Sequence, residues 1–127
     1  MIDESYNSNP LSLKSALLNF DKIKINKGKK YLLLGDMLEL GDHSKKLHQS
    51  IGKIINNTKI DKIFVKGSEV LFTYNSILKN KKGRVLNSNS EIIDLIKNDL
   101  NNNDYLMIKA SNATGFNKII SDIKDSK

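Results

Sequence analysis

Cysteine is absent from this chain of 127 residues, which excludes disulfide bonds, thiolate catalysis and zinc sites built on Cys. The two histidines, His43 and His48, are poor material for a metal site, so we predict none in the chain itself. Long apolar runs are missing too, and the first residues carry acids and amides where a signal peptide has a basic and then an apolar region. These absences predict a soluble, cytoplasmic protein with no membrane span.

Arginine is nearly absent as well: of the 21 basic residues, 20 are lysines and one, Arg84, is an arginine. The net charge of +7 is compatible with nucleic-acid binding, which relies on cationic contacts to phosphates. Arginine, however, provides the bidentate contacts to phosphates and bases. We therefore favour a solvated lysine-rich surface and no nucleic-acid partner, and keep a basic nucleic-acid-binding domain as a rival hypothesis.

Strand-like and helix-like patterns alternate along the whole chain. Asn9 and Pro10 are suited to start the first helix, whose apolar face we assign to Leu11, Leu13, Leu17, Leu18 and Phe20. Ser88 and Glu91 form a possible capping box. The patterns predict helices over 10–20, 44–55, 69–80, 88–100 and 115–127, and strands over 31–36, 61–68, 83–87 and 104–111.

This alternation predicts one α/β domain over 1–127, with a Rossmann-like open, mostly parallel sheet and helices on both faces. Such folds bind ligands at the carboxyl ends of their strands. Three strands are followed there by small and polar residues, in the stretches GDMLELGD, KGSE and KASNATG. Each stretch is read either as a part of a ligand site or as a tight turn.

Two of the sequence motifs resemble one family. DESYNSNPLSLKSAL is similar to the Asp-Asp-Ser-Tyr-Asn-Ala-Asn-Pro segment of Mur ligases of the MurF type, and YLLLGDMLELGDHSKKLHQSIG is similar to their Leu-Gly-Asp-Met-x-Glu-Leu-Gly stretch with its following Ser and His. DYLMIKASNATGF resembles a degenerate form of a third family segment, in which Ala110 replaces Gly and Asn112 replaces Arg. Glu4 likewise stands where a second Asp is usual.

The resemblance implies the C-terminal domain of an ATP-dependent amide-bond ligase. Such an enzyme adds D-alanyl-D-alanine to UDP-N-acetylmuramoyl-tripeptide through an acyl phosphate in peptidoglycan synthesis, and its C-terminal domain closes over the reactants as a lid. The chain has no P-loop match. We therefore expect the N-terminal UDP-sugar domain and the central ATPase domain to be absent, ATP and Mg²⁺ to be bound mainly by that central domain, and the isolated domain to be inactive. The alternative is a stand-alone Rossmann-like module that binds a nucleotide or a small acid.

The family likeness assigns nucleotide contacts to the first motif. One carboxylate, from Asp3 or Glu4, is expected to accept hydrogen bonds from the ribose hydroxyls, with Tyr6 and Asn7 close to the nucleotide. Tyr6 is read alternatively as a half-buried aromatic residue under the first helix.

The other two motifs are assigned to the dipeptide. Asp36 is expected to pair with its ammonium, Met37 to provide apolar contact and Glu39 to orient the loop, whereas Asp36 is read alternatively as the cap of a turn. His48 is read as a structural residue that hydrogen-bonds this loop, in preference to a catalyst. The third loop supplies donors suited to a carboxylate, from Lys109, Ser111, Asn112 and Thr114.

Overall fold

The computed structural model describes residues 2–3, 10–25, 27–37, 40–101 and 103–109, with the backbone alone for 2–3. The described strands form one sheet in the order β1-β5-β2-β3-β4, and each neighbouring pair is parallel. The strands are β1 (Ile2–Asp3), β2 (Lys30–Gly35), β3 (Lys62–Lys66), β4 (Lys82–Val85) and β5 (Tyr105–Lys109). The helices are α1 (Pro10–Lys22), α2 (Ser44–Asn56), α3 (Leu71–Tyr74) and α4 (Asn89–Asp94), with a π-helical turn over Leu95–Asp99 and 3₁₀ turns over Gly41–His43 and Lys79–Lys81.

The predicted fold class is confirmed. Continuous apolar runs such as YLLLG are typical of strands covered on both faces, and the side chains of Leu32, Leu33 and Leu34 are at most 1% exposed. One face of the sheet packs against α1, α2 and α3, whose cluster includes Leu17 and Ile51. The opposite face packs against α4 and the turn that follows it. The helices thus cover both faces and leave the strand ends to form the edges of the domain.

Helix α1 begins at Pro10 as predicted and runs two residues past the predicted end. Its buried side chains are Leu13, Leu17 and Phe20, which are spaced by four and three residues and so share one face. Leu11 is 76% exposed and Leu18 is 41% exposed. Including these two in the apolar face was wrong, since their spacing of seven residues places them on a second, solvent-facing side.

Helix α3 is much shorter than the predicted segment 69–80. The reason is a contact with the end of α2: the Asn56 side chain donates from Nδ2 to Ser76 O (3.0 Å) and accepts from Leu78 N (2.8 Å) at Oδ1. The chain therefore turns after Tyr74, where a longer helix would have used these backbone groups itself.

The predicted capping box at the start of α4 is confirmed in part. Ser88 Oγ accepts from Glu91 N at 3.3 Å, whereas the Glu91 carboxylate accepts from Asn87 N, one residue before the usual partner. The two-residue strand β1 was not predicted, and Asn9 and the predicted terminal helix 115–127 lie outside the described residues. Among the described helices, none is long and apolar enough to cross a membrane.

Candidate functional site

The carboxyl ends of four of the parallel strands, β1, β5, β2 and β3, lie side by side. We call this side of the sheet, where the strands end, the carboxyl edge. Strand pairing places Asp3 beside Ile108, Lys109 beside Leu34, and Gly35 beside Lys66. The three segments that the sequence assigned to ligands therefore begin side by side, because β1, β5 and β2 are neighbours. Loops at this edge are the usual ligand site of an open parallel α/β sheet.

Asp36 follows β2 directly and reaches the loop after β3. Its Oδ1 accepts from Val70 N at 2.8 Å, and its Oδ2 accepts from Ser68 N at 3.3 Å. Both carboxylate oxygens thus have a backbone partner inside the domain, as the alternative reading of Asp36 as a turn cap suggested. The contact with a dipeptide ammonium stays a prediction.

Gly67 makes this contact possible. Its φ of +140° lies in a region that side-chain-bearing residues rarely adopt, and a Cβ at this position would lie against the Asp36 carboxylate well inside van der Waals contact. The stretch KGSE is therefore part of the same edge. Sequence reasoning left it open as a turn, although its strand-then-glycine pattern repeats that of the GDMLELG loop.

Met37 is 2% exposed and belongs to the apolar cluster on the α1, α2 side of the sheet. Its backbone N–H donates to Nε2 of His48 at 3.2 Å. The predicted apolar contact of Met37 with the dipeptide is not tested by this burial, which shows that its side chain is packed in the core.

His48 is the structural residue that the sequence suggested. It is 1% exposed, and its Nδ1 lies 2.8 Å from Ser44 O and 3.2 Å from Ser44 Oγ. Since a carbonyl only accepts, Nδ1 carries the proton, and Nε2 is left to accept from Met37 N–H. The neutral ring thereby fastens the loop after β2 to helix α2.

Lys109 ends β5 with a side chain that is 5% exposed. Within the described residues, no hydrogen bond or ion pair involves its ammonium. A buried cation is costly without a partner, so this residue is suited to hold an anionic group at the edge.

The remaining predicted site residues are not described. Glu4, Tyr6, Asn7, Glu39, Ser111, Asn112 and Thr114 lie outside the described residues, and for Asp3 the backbone alone is placed, on β1. Their assignments stay predictions.

A cavity of about 880 Å³ lies at the opposite, amino edge of the sheet. Its lining groups serve the fold: Asp21 Oδ1 accepts from Lys59 N, Asp61 Oδ2 accepts from Lys30 N, and the Lys30 ammonium donates to Asp21 O at 2.8 Å. These contacts fasten the end of α1 to β2 and to the segment before β3. We therefore place the candidate site at the carboxyl edge.

Two tyrosines have perturbed ionisation, and neither lies at the carboxyl edge. Burial, and then the nearby Asp104, Asp61 and Asp99 carboxylates, raise the pKa of Tyr31 above its usual 10.0. Burial alone raises the pKa of Tyr74. Tyr31 lies on β2 and Tyr74 ends α3, so neither raised pKa points to a catalytic group at the candidate site.

An open parallel sheet with helices on both faces defines a Rossmann-like α/β domain, a class in which ligands bind at the carboxyl ends of the strands. A family model described as "Mur ligase, glutamate ligase domain" matches residues 1–112. The chain therefore belongs to the Mur ligase family.

Curated relatives agree with this assignment. The UDP-N-acetylmuramoyl-tripeptide--D-alanyl-D-alanine ligase of Bacillus subtilis is 33% identical over 129 residues, which cover 99% of this chain and 28% of the relative. The enzyme of the same description from Buchnera aphidicola subsp. Acyrthosiphon pisum is 33% identical over 133 residues, covering 100% of this chain and 27% of the relative. The chain thus spans little more than a quarter of the length of these relatives.

Solved structures share the fold. The MurF ligase of Thermotoga maritima, determined in complex with ADP, superposes with a TM-score of 0.70 at 23% identity over 98% of this chain and 28% of that one. MurF from Acinetobacter baumannii gives a TM-score of 0.71 at 23% identity over 96% of this chain and 26% of that one.

Proposed function

We propose that this chain is the C-terminal domain of an ATP-dependent ligase that joins D-alanyl-D-alanine to UDP-N-acetylmuramoyl-tripeptide in peptidoglycan synthesis. The observation that carries the proposal is the 33% identity with the Bacillus subtilis ligase over 99% of the chain. The partners would be the central ATPase domain of the same enzyme and the two substrates, and the location would be cytoplasmic.

The domain would act by closing over the reactants. Closure excludes water from an activated carboxylate and holds the incoming amine in attack geometry, which can supply several kcal/mol. ATP supplies the phosphoryl group that activates the carboxylate, with Mg²⁺ as its counter-ion, and both would be held mainly by the central domain. Contacts to the nucleotide from this chain would come from the motif after β1, with Asp3, Glu4, Tyr6 and Asn7 as candidates.

The dipeptide would be held between the loops after β2 and β5. Support for this comes from strand order, because these two strands are neighbours and their carboxyl ends coincide. Lys109 is the described residue best suited to bind the dipeptide carboxylate, since its buried ammonium has no partner within the described residues. Candidates for the other contacts are Asp36, Met37, Glu39, Ser111, Asn112 and Thr114.

The test is a ligation assay with the full-length protein that contains this chain, supplied with UDP-N-acetylmuramoyl-tripeptide, ATP and D-alanyl-D-alanine. We expect the amide product by mass spectrometry. Absence of product in a folded enzyme, together with tight binding of a nucleotide or small acid to this chain alone, would favour the stand-alone binding module.

The role of Lys109 is tested by Lys109→Met, which keeps the length of the side chain and removes its charge. We expect the apparent KM for the dipeptide to rise about tenfold or more, as for loss of a charged hydrogen bond, with little change in the KM for ATP. Lys53→Met, at an exposed position of α2, is the matched control. Equal effects of Lys109→Met on both KM values would remove the assignment.

A further inference from the structure

Two hydrogen-bonded connections join the segment after β2 to the segment after β3. Directly, the Asp36 carboxylate accepts from Ser68 N and Val70 N. Indirectly, His48 accepts from Met37 N at its ring, and its backbone O accepts from Thr73 Oγ1 at 2.6 Å. Thr73 belongs to α3, the helix that follows Val70, so the indirect connection ends on the same segment as the direct one.

The bonds of the indirect connection are buried, whereas the bond of Asp36 to Val70 is half-buried and its bond to Ser68 is exposed. Met37, His48, Val70 and Thr73 are each at most 2% exposed. Hydrogen bonds in such surroundings are costly to leave unmade. The two loops should consequently move as one unit, although they belong to different strands.

Gly67 adds a geometric condition to the direct connection. Only a residue without Cβ allows the Asp36 carboxylate to lie over this backbone, and φ of +140° is itself unfavourable for other residues. Asp36 and Gly67 therefore depend on each other. The absence of a Cβ at Gly67 leaves room for the carboxylate, and the carboxylate hydrogen-bonds the backbone that follows the glycine.

We propose that Asp36 is a positioning residue that orients the loop 67–70, and that this loop lines the dipeptide site beside Gly35 and Lys109, which end β2 and β5. The inference rests on the proposed function for the identity of the ligand. It assigns the Asp36 carboxylate to the backbone N–H groups of Ser68 and Val70, one at each oxygen, in place of the direct ammonium contact that the family likeness implies. The ligand would be a small zwitterionic peptide, with the exposed Ser68 beside it.

The first experiment measures amide hydrogen exchange in this chain by NMR. In Asp36→Ala, the Val70 amide should exchange about tenfold faster or more, since it loses its acceptor at 2.8 Å, and the exposed Ser68 amide should show a smaller increase. Asp36→Asn should protect Val70 better than Ser68, because it keeps one acceptor oxygen. Asp42→Ala, at an exposed position, is the control and should change neither amide. Unchanged exchange in Asp36→Ala would overturn the positioning role.

The second experiment is a double-mutant cycle in the full-length ligase with Asp36→Ala, Gly67→Ala and the double variant. Each single change should raise the apparent KM for the dipeptide and leave the KM for ATP unaltered. The double variant should be no worse than the more impaired single variant, because both changes break the same contact. Effects that multiply would mean that Asp36 contacts the dipeptide itself, and would overturn the proposal.

The two experiments separate the two claims. A wild-type enzyme that makes no product from D-alanyl-D-alanine would refute the proposed function while amide exchange still decided the role of Asp36. Should Asp36→Ala fail to fold, Asp36→Asn and Gly67→Ala carry the same cycle, and multiplied effects would again overturn it.

Discussion

His48 satisfies three hydrogen-bonding groups at once. Its Nε2 accepts from Met37 N, its Nδ1 donates to Ser44 O, and its backbone O accepts from Thr73 Oγ1. A neutral imidazole has one donor and one acceptor nitrogen, which match Ser44 O and Met37 N–H. This pairing explains why a histidine is placed in the core at a position where it has no catalytic partner within the described residues.

We predict that His48→Ala lowers the free energy of unfolding by roughly 2–4 kcal/mol, because it leaves the buried Met37 N–H unpaired and opens a cavity. Urea unfolding at neutral pH, followed by circular dichroism, measures the change. His43→Ala is the control, since His43 is exposed and five residues away on the preceding turn. Equal losses in the two variants would show that the His48 ring does not hold the loop.

Helices α2 and α3 pack so closely that no side chain fits between them at Gly52. A Cβ at this position would lie 2.7 Å from Ser76 Cβ and 2.9 Å from Thr73 O. The same contact zone contains the Asn56 side chain that ends α3 early. The short α3 is thus a consequence of its neighbour, and its own sequence, with Leu71, Phe72 and Ile77, would have supported more turns.

Gly52→Ala should therefore destabilise the domain by about 1–3 kcal/mol, in spite of the better helix propensity of alanine. The cause is the backbone carbonyl of Thr73, which cannot yield without moving α3. Thermal unfolding measures the loss, and Lys46→Ala, at an exposed position of the same helix, should stay close to the wild type. A stabilised Gly52→Ala variant would contradict the close approach of the two helices.

The sequence was sufficient for elements whose signals are local. Apolar runs predicted β2, β3 and β5, and Pro10 predicted the start of α1, because each depends on neighbouring residues. The length of α3 and the exposure of Leu11 and Leu18 depend on which other element lies beside them. A single sequence carries no such information, so these two features were predicted wrongly.

For the candidate site, too, the sequence predicted the local features and the structure was needed for the contacts between distant segments. Motifs indicated the carboxyl edge and singled out Asp36 and His48, and the structure adds the partners of both residues. The link from Asp36 to Val70 spans 34 residues and depends on the order of the strands. No pattern within the GDMLELG stretch predicts it, which is why the turn at KGSE was left open.

At the scale of the whole molecule, several of the lysines that contribute to the net charge form contacts with other described residues. Lys30, Lys62 and Lys81 donate to backbone carbonyls, and Lys82 lies 5.3 Å from the ring centroid of Tyr74. Arg84 forms a 2.6 Å ion pair with Asp99. The cation best suited to bidentate phosphate contacts thus forms an ion pair at the surface, and these contacts favour the interpretation of the net charge of +7 as a solvated lysine-rich surface.

We accordingly predict that this chain binds duplex DNA weakly, with a dissociation constant above about 10 μM near physiological salt. Fluorescence anisotropy of a labelled duplex at two salt concentrations measures this, because a protein that neutralises many phosphates loses affinity steeply as salt increases. Arg84→Ala, which breaks the pair with Asp99, should leave the weak binding unchanged if Arg84 does not contact the duplex. Submicromolar, salt-sensitive binding would contradict this prediction and reinstate the basic nucleic-acid-binding domain.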